Sequence, residues 1–281
     1  MSLESKDPDS KLKITDLQNG TLRVEDLEIP SPFQWTSASR SHPGRVRQIN
    51  EDACLDQPEH GLWAVADGMG GHALGELASQ LAVQSLMDLP ATENLEQRVS
   101  VAINRLREVN RRLRAEALRH DVPIIGTTIA TLLATGRLCS CLWAGDSRIY
   151  LYRAGRLRQL TRDHNQLEAA RARHVSSQDD TLELPRANLV TRALGAEDTL
   201  QIDSTTLELL DGDIFLLCTD GLSNEVSELS IEQALLMGVC TLACDALVDT
   251  ALDRDARDNI TAVMVRAEDT SSPDQTMLRA L

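Results

Sequence analysis

None of the six cysteines stands in a C-x-x-C pair, so the ligand spacing of a structural zinc site is missing. Cys54, Cys139, Cys141, Cys218, Cys240 and Cys244 lie mostly inside apolar stretches and read as buried thiols. Basic charge is also short. The formal net charge is −15, which sets long-range repulsion against a nucleic-acid groove or an anionic membrane surface. A cationic ligand or a basic protein patch is the easier partner. Residues 1–30 hold no long apolar run, so neither a signal peptide nor a membrane span is expected there, and the cytoplasm is the expected compartment. No internal repeat interrupts the chain. What it does have is 42% hydrophobic residues over 281 positions, enough for one large domain or two small ones with a buried core.

Residues 1–33 read as an N-terminal arm, because "LKITDLQNGTLRVEDLEI" places two half-apolar runs around Asn19-Gly20, a two-residue hairpin signal. "PSPF" then breaks the chain. Residues 34–268 form the expected main domain and 269–281 a tail. "GLWAVAD" reads as a strand, Ala73 to Leu89 as a helix, and Glu93 to His120 as a longer helix with apolar residues at 95, 99, 102, 103, 106, 109 and 113, the helical period. "TTIATLLAT", "LCSCLWAG" and "SRIYLYRA" are joined by short polar turns, which predicts adjacent antiparallel strands. Residues 163–188 are polar and weakly patterned and read as a mobile helix-and-loop flap, with Asp179-Asp180 a solvated turn. "QIDSTTLEL", "DIFLLCTD", two short helices and "NITAVMVRA" complete an α+β domain.

"AVADGMGGH" at 64–72 sets a carboxylate on the lip of a glycine-rich loop. Gly68, Gly70 and Ala73 match a dinucleotide spacing, but that motif needs a βαβ unit, and Asp67 would repel a pyrophosphate. The pattern recurs instead as acids at strand ends: Asp146 closes "LWAGD", Asp220 closes "FLLCTD", and Asp258 stands just before "NITAVMV". In an antiparallel sheet one strand's start lies beside its neighbour's end, so the four can meet. Gathered there they would repel by up to a few kcal/mol per pair at an effective dielectric near 20. They need cations. Oxygen ligands favour Mg²⁺ or Mn²⁺, with zinc second, and the glycines would bring main-chain carbonyls close to the ion. "GRVRQINED" adds Arg47 four and five residues before Glu51 and Asp52, a planar fork suited to phosphate.

These segments resemble the metal-dependent protein serine/threonine phosphatases of the 2C type (the PPM family) in their bacterial form. "GRVRQINEDA", "WAVADGMGGHALGELAS", "GTTIATLL", "WAGDSRIYLYRAGRLRQLTRDHN", "NLVTRALG", "DGDIFLLCTDGLS" and "RDNITAVMV" follow the family's order across residues 40–267. The resemblance implies a four-layer α-β-β-α sandwich of two antiparallel sheets flanked by helices, with metals in a cleft at one end. It implies a first metal on Asp67, Asp220 and Asp258, and a second on Asp67, the Gly68 carbonyl and Glu51. Asp52 would orient metal-bound water, and Asp146 with Asp220 would hold a third, weaker ion. Arg47 would bind the substrate phosphate, and 163–188 would be the flap beside the cleft. The implied reaction is in-line attack on phosphoserine or phosphothreonine by a metal-bridging hydroxide, without a phosphoenzyme.

One position departs from the eukaryotic pattern: the histidine that follows Asp-Gly there is Met69 here, a change shared by bacterial relatives. His72 reads as a packing or capping residue at a helix start and is the rival proton donor. The stretch from Trp35 to His72 looks most like the phosphatases associated with bacterial type VI secretion, which oppose a threonine kinase. The expected partners are therefore a phosphorylated protein and an opposing serine/threonine kinase system, acting on a monomer. Two other readings stand beside this one. One is a catalytically silent phosphoprotein-binding module, against which the full set of acids and Arg47 argues; the other is a phosphatase of small phosphoesters.

Overall fold

The computed structural model describes residues 32–71, 73–90, 92–177 and 189–271. The expected hairpin about Asn19-Gly20, His72, residues 178–188 of the expected flap and the chain beyond Ser271 lie outside them. By its internal contacts the chain divides into Met1–Pro30 and Ser31–Leu281, and the described residues belong to the second unit.

Among the described residues, eleven strands form two antiparallel sheets. One takes β1 (Phe33–His42), β11 (Ile260–Asp269), β10 (Ile214–Cys218), β7 (Arg148–Arg153) and β8 (Arg156–Gln159) in that spatial order. The other takes β2 (Asp52–Gln57), β3 (Leu62–Met69), β5 (Ile129–Thr135), β6 (Leu138–Ala144) and β9 (Asp203–Glu208), with β4 (Gly126–Thr127) pairing β3. Alternation along each strand builds the layers, since successive side chains face opposite sides. Trp63 and Val65 of β3 meet Phe215, Leu217, Val263 and Val265 between the sheets. Leu62, Ala64 and Ala66 face the other way, onto Ala78, Leu106 and Leu113 of helices α1 (Ala73–Gln84) and α2 (Leu95–Arg119). On the far side Leu216, Cys218, Ala262 and Met264 pack on α5 (Glu228–Leu235) and α6 (Cys240–Leu252). The result is the four-layer α-β-β-α sandwich.

Local chemistry sets the helix bounds. Gly75, Ala78, Ser79, Ala82 and Val83 form the buried face of α1 at helical spacing. The helix ends at Gln84 rather than at Leu89, because Leu86 and Met87 donate to Val83 and Gln84 in tighter three-residue turns at 3.1 and 3.2 Å. Pro90 then bars the helical region to Leu89. The Asn94 side chain caps α2 by accepting from the Gln97 N–H at 3.1 Å. Arg98, inside the apolar face of α2, is buried and donates to the carbonyls of Ala134 and His60 at 2.6 and 2.7 Å.

Three expectations are corrected. The β6 and β7 strands are not neighbours: the chain crosses between sheets at Gly145-Asp146-Ser147, with Gly145 at φ 122, a conformation that favours glycine. "TTIATLLAT" is split, because Thr128 leaves the ladder between β4 and β5. Between β10 and β11 stand three helices, not two, the first being the single turn α4 (Asp220–Ser223). The expected flap opens with fixed residues, since Asp163 and Asn165 are buried, and α3 (Gln166–Ser177) follows. Five of the cysteines are buried and Cys54 is half-buried, all as free thiols. Burial pushes the Cys141 thiol up to about 12.

Candidate metal centre

Antiparallel register brings the first acids together. In the β2–β3 hairpin Asp52 pairs directly with Asp67, so both side chains leave the same face. In the opposite sheet Cys218 pairs with Ala262, which places Asp220, just past β10, beside Asp258, just before β11. Asp146 enters at the crossover. The argument from neighbouring strand ends therefore holds for Asp220 and Asp258, whereas Asp67 and Asp146 come from the facing sheet.

Thr128 explains both the broken strand and the hold on Asp67. Its Oγ1 accepts from the Asp67 N–H at 2.9 Å, and its own N–H donates to the Asp67 carbonyl at 2.9 Å. The hydroxyl also bonds Ser147 at 2.7 Å, tying β3 to the residue after Asp146. Across the gap, Asp52 Oδ2 accepts from Thr219 Oγ1 at 2.8 Å and Thr261 Oγ1 at 2.6 Å.

The carboxylates raise one another's proton affinity. Burial pushes Asp67 well above the usual carboxylate range, with Asp52, Asp220, Asp258 and Asp146 adding repulsion. Burial lifts Asp52 to about 7 against the two threonine hydroxyls, helped by Asp220 and Asp258. Asp146 also reaches about 7, from burial, Asp220 and Asp163, with the Arg148 guanidinium opposing. Asp220 is raised by burial and by Asp258, while hydrogen bonding with Asp67 and Asn224 pulls it back.

The oxygens suit a hard cation. Asp52 Oδ1 and Asp220 Oδ1 are buried and meet no hydrogen-bond donor, a state that costs free energy unless something positive faces them. Glycine clears the space around Glu51: a Cβ on Gly75 would lie 2.1 Å from Glu51 Oε1, and one on Gly68 would lie 2.1 Å from the Gly75 carbonyl oxygen. Among the described residues no three His, Cys, Asp or Glu side chains are already drawn together as a ligand set.

Arg47 stands at the edge of this cluster, drawn most strongly to Asp258, with Glu51 and Asp67 adding attraction. Its Nη2 donates to Asp258 Oδ2 at 3.0 Å, with both side chains close to half exposed. The loop that carries Arg47 and Glu51 hangs on Asn259, a residue the sequence reading passed over. Its Oδ1 accepts from the Glu51 N–H at 2.7 Å, and its Nδ2 donates to the Pro43 and Ile49 carbonyls at 3.0 Å each. Met69 lies in β3 opposite Gly126.

A two-sheet sandwich with buried aspartates meeting where its sheets face each other defines a class, the metal-dependent phosphatase fold. The chain belongs to the Protein phosphatase 2C family, whose profile matches residues 40–260. It is 43% identical to the structure of PppA, described as a key regulatory component of the type VI secretion system in Pseudomonas aeruginosa, with a TM-score of 0.77 over 83% of this chain and 97% of that one. It is 34% identical to the serine/threonine protein phosphatase PstP of Mycobacterium tuberculosis over 83% of this chain, and spans 45% of that protein's length. The structure of a PstP catalytic domain in complex with two manganese ions matches at a TM-score of 0.74, over 84% of this chain and all of that one. The serine/threonine phosphatase Stp of Listeria monocytogenes is 34% identical, over 82% of this chain and 94% of that protein. Among the described residues no helix is long and apolar enough to cross a membrane.

Proposed function

We propose that the chain is a protein serine/threonine phosphatase that needs two core Mn²⁺ or Mg²⁺ ions. The observation that carries this reading is the meeting of Asp52 and Asp146, both buried, with Asp67 and Asp220, both half-buried, all raised toward protonation, in a chain of the 2C family. Asp67, Asp220 and Asp258 would hold one ion, and Asp67, Glu51 and the Gly68 carbonyl the second; Asp146 with Asp220 would hold a weaker third. Bound there, the ions supply neutral-pH ionisation of water and neutralise charge on the phosphoryl oxygens.

The chain's own groups do the rest. Arg47 would turn its fork from Asp258 to two phosphoryl oxygens of the substrate and help hold the phosphorus in line. Asp52 would orient the attacking water. Met69 carries no dissociable proton, so leaving-group protonation falls to water or to His72. Hydrolysis of a phosphothreonine peptide that starts on adding Mn²⁺ and stops on chelation tests the reading; no turnover of any phosphopeptide would overturn it. Turnover of nucleotides or aryl phosphates alone would favour the small-phosphoester reading.

The likeness to PppA supports a place in type VI secretion, with the substrate a phosphoprotein made by an opposing threonine kinase. Phosphoproteomics of a strain lacking the gene tests this, since the phosphosites that accumulate should lie on secretion components.

A further inference from the structure

We propose that Thr219 and Thr261 are positioning residues that hold the Asp52 carboxylate by one oxygen and so set the direction of the other. The inference rests on the reading of Asp52 as the group that orients the attacking water.

The hydrogen-bond directions around Asp52 can be traced from groups that can only donate. The Asp52 N–H donates to Asn50 Oδ1 at 3.2 Å, which fixes the orientation of that amide. Asn50 Nδ2 therefore faces Ser41 Oγ and donates to it at 2.8 Å. Thr261 Oγ1 gives its one proton to Asp52 Oδ2 at 2.6 Å, so in its 2.8 Å contact with Ser41 Oγ the serine is the donor. On the other side the Thr261 N–H donates to Thr219 Oγ1 at 3.0 Å, and Thr219 Oγ1 donates to Asp52 Oδ2 at 2.8 Å. Two O–H groups thus converge on Oδ2.

Oδ1, the atom that is buried without a hydrogen-bond partner, is thereby the oxygen left to meet water. Thr261 lies in β11 of the sheet facing the β2–β3 hairpin, and Thr219 directly follows β10 of the same sheet. The orientation of Asp52 is thereby set across the gap between the sheets, and not by its own hairpin alone.

The test uses the full chain saturated with Mn²⁺, a phosphothreonine peptide, and the variants Thr219→Val, Thr261→Val, Thr261→Ser, Ser41→Ala and Asp52→Asn. Misplacing a reacting group by about 1 Å can cost 10²-fold, so kcat should fall about tenfold or more in each Val variant. KM and the Mn²⁺ dissociation constant measured by calorimetry should stay within about twofold, because neither threonine is placed on phosphate or metal. Thr261→Ser should restore kcat to within about twofold, and Ser41→Ala should lower it a few-fold. In the Asp52→Asn background Thr261→Val should change nothing further, since both act through one group. Ser41→Ala and Thr261→Ser keep the core filled and carry the test if a Val variant does not fold. An unchanged kcat in the Val variants, a loss confined to KM or Mn²⁺ affinity, or additivity with Asp52→Asn would overturn the inference alone. A wild-type protein inactive on every phosphopeptide would overturn the functional reading, and this inference with it.

Discussion

Substituting Gly75 with alanine sets a local gain against a loss at the site. In the first turn of α1 the exchange should stabilise the helix by up to about 1 kcal/mol, a rise in Tm of at most roughly 2–4 °C for a domain of this size. The added methyl would, however, lie 2.1 Å from Glu51 Oε1, 2.8 Å from its Cδ and 3.1 Å from the Gly68 carbonyl carbon. Ordinary contact needs about 3.5 Å, so the carboxylate must swing away by more than about 1 Å while the β2–β3 backbone gives only a few tenths. A carboxylate at the end of a flexible side chain can do this without unfolding the protein. Metal-free Gly75→Ala should therefore melt no lower than wild type, while its affinity for the ion near Glu51 falls about 10- to 100-fold, the range seen when groups supporting a ligand are removed. Melting of the chelated protein and Mn²⁺ calorimetry check the two halves. Normal Mn²⁺ binding would refute the placement of Glu51 against the helix.

The pH dependence of the metal-free protein follows from Asp52 and Asp146. Each binds a proton more tightly folded, at about 7, than unfolded, so its contribution to stability is full below about pH 4 and is lost as pH rises to 7. Three units on one buried group amount to about 4 kcal/mol at most; the Tm of chelated protein should fall between pH 5 and 8, and Mn²⁺ should flatten the curve. Arg47→Ala should raise KM roughly ten- to a hundredfold, the loss of one charged hydrogen bond of about 1.5–3 kcal/mol, and steady-state kinetics read it. Asn259→Leu leaves the Glu51 N–H and two carbonyls unmatched, which should cost about 2–4 kcal/mol in denaturant unfolding and lower Mn²⁺ affinity through Glu51.

Much of the site was legible because apolar runs that stop at aspartate mark strand ends, and antiparallel pairing then joins Asp220 to Asp258. Which sheet each strand enters was not legible. The turn from β6 to β7 is as short as a hairpin, and only packing against the facing sheet makes it a crossover. Thr219 and Thr261 gave no signal, because threonine is an ordinary strand former and its hydroxyl matters only once Asp52 faces it from another sheet. Gly75 fell inside the stretch read as a helix, and its use appears only with Glu51 against it. The contact of Arg47 with Asp258 was not legible for a similar reason, since it depends on the loop hung on Asn259.

The central claim is that the gathered carboxylates exist to hold metal for phosphoester hydrolysis. Asp67 tests it most directly, because it feels all four neighbouring aspartates and would serve both core ions. We expect Asp67→Asn to remove one of the repelling charges, so that the chelated variant melts at or above the wild-type temperature at pH 8, yet shows no saturable Mn²⁺-dependent turnover of a phosphothreonine peptide. Near-normal Mn²⁺-dependent turnover by a folded Asp67→Asn protein would contradict the account.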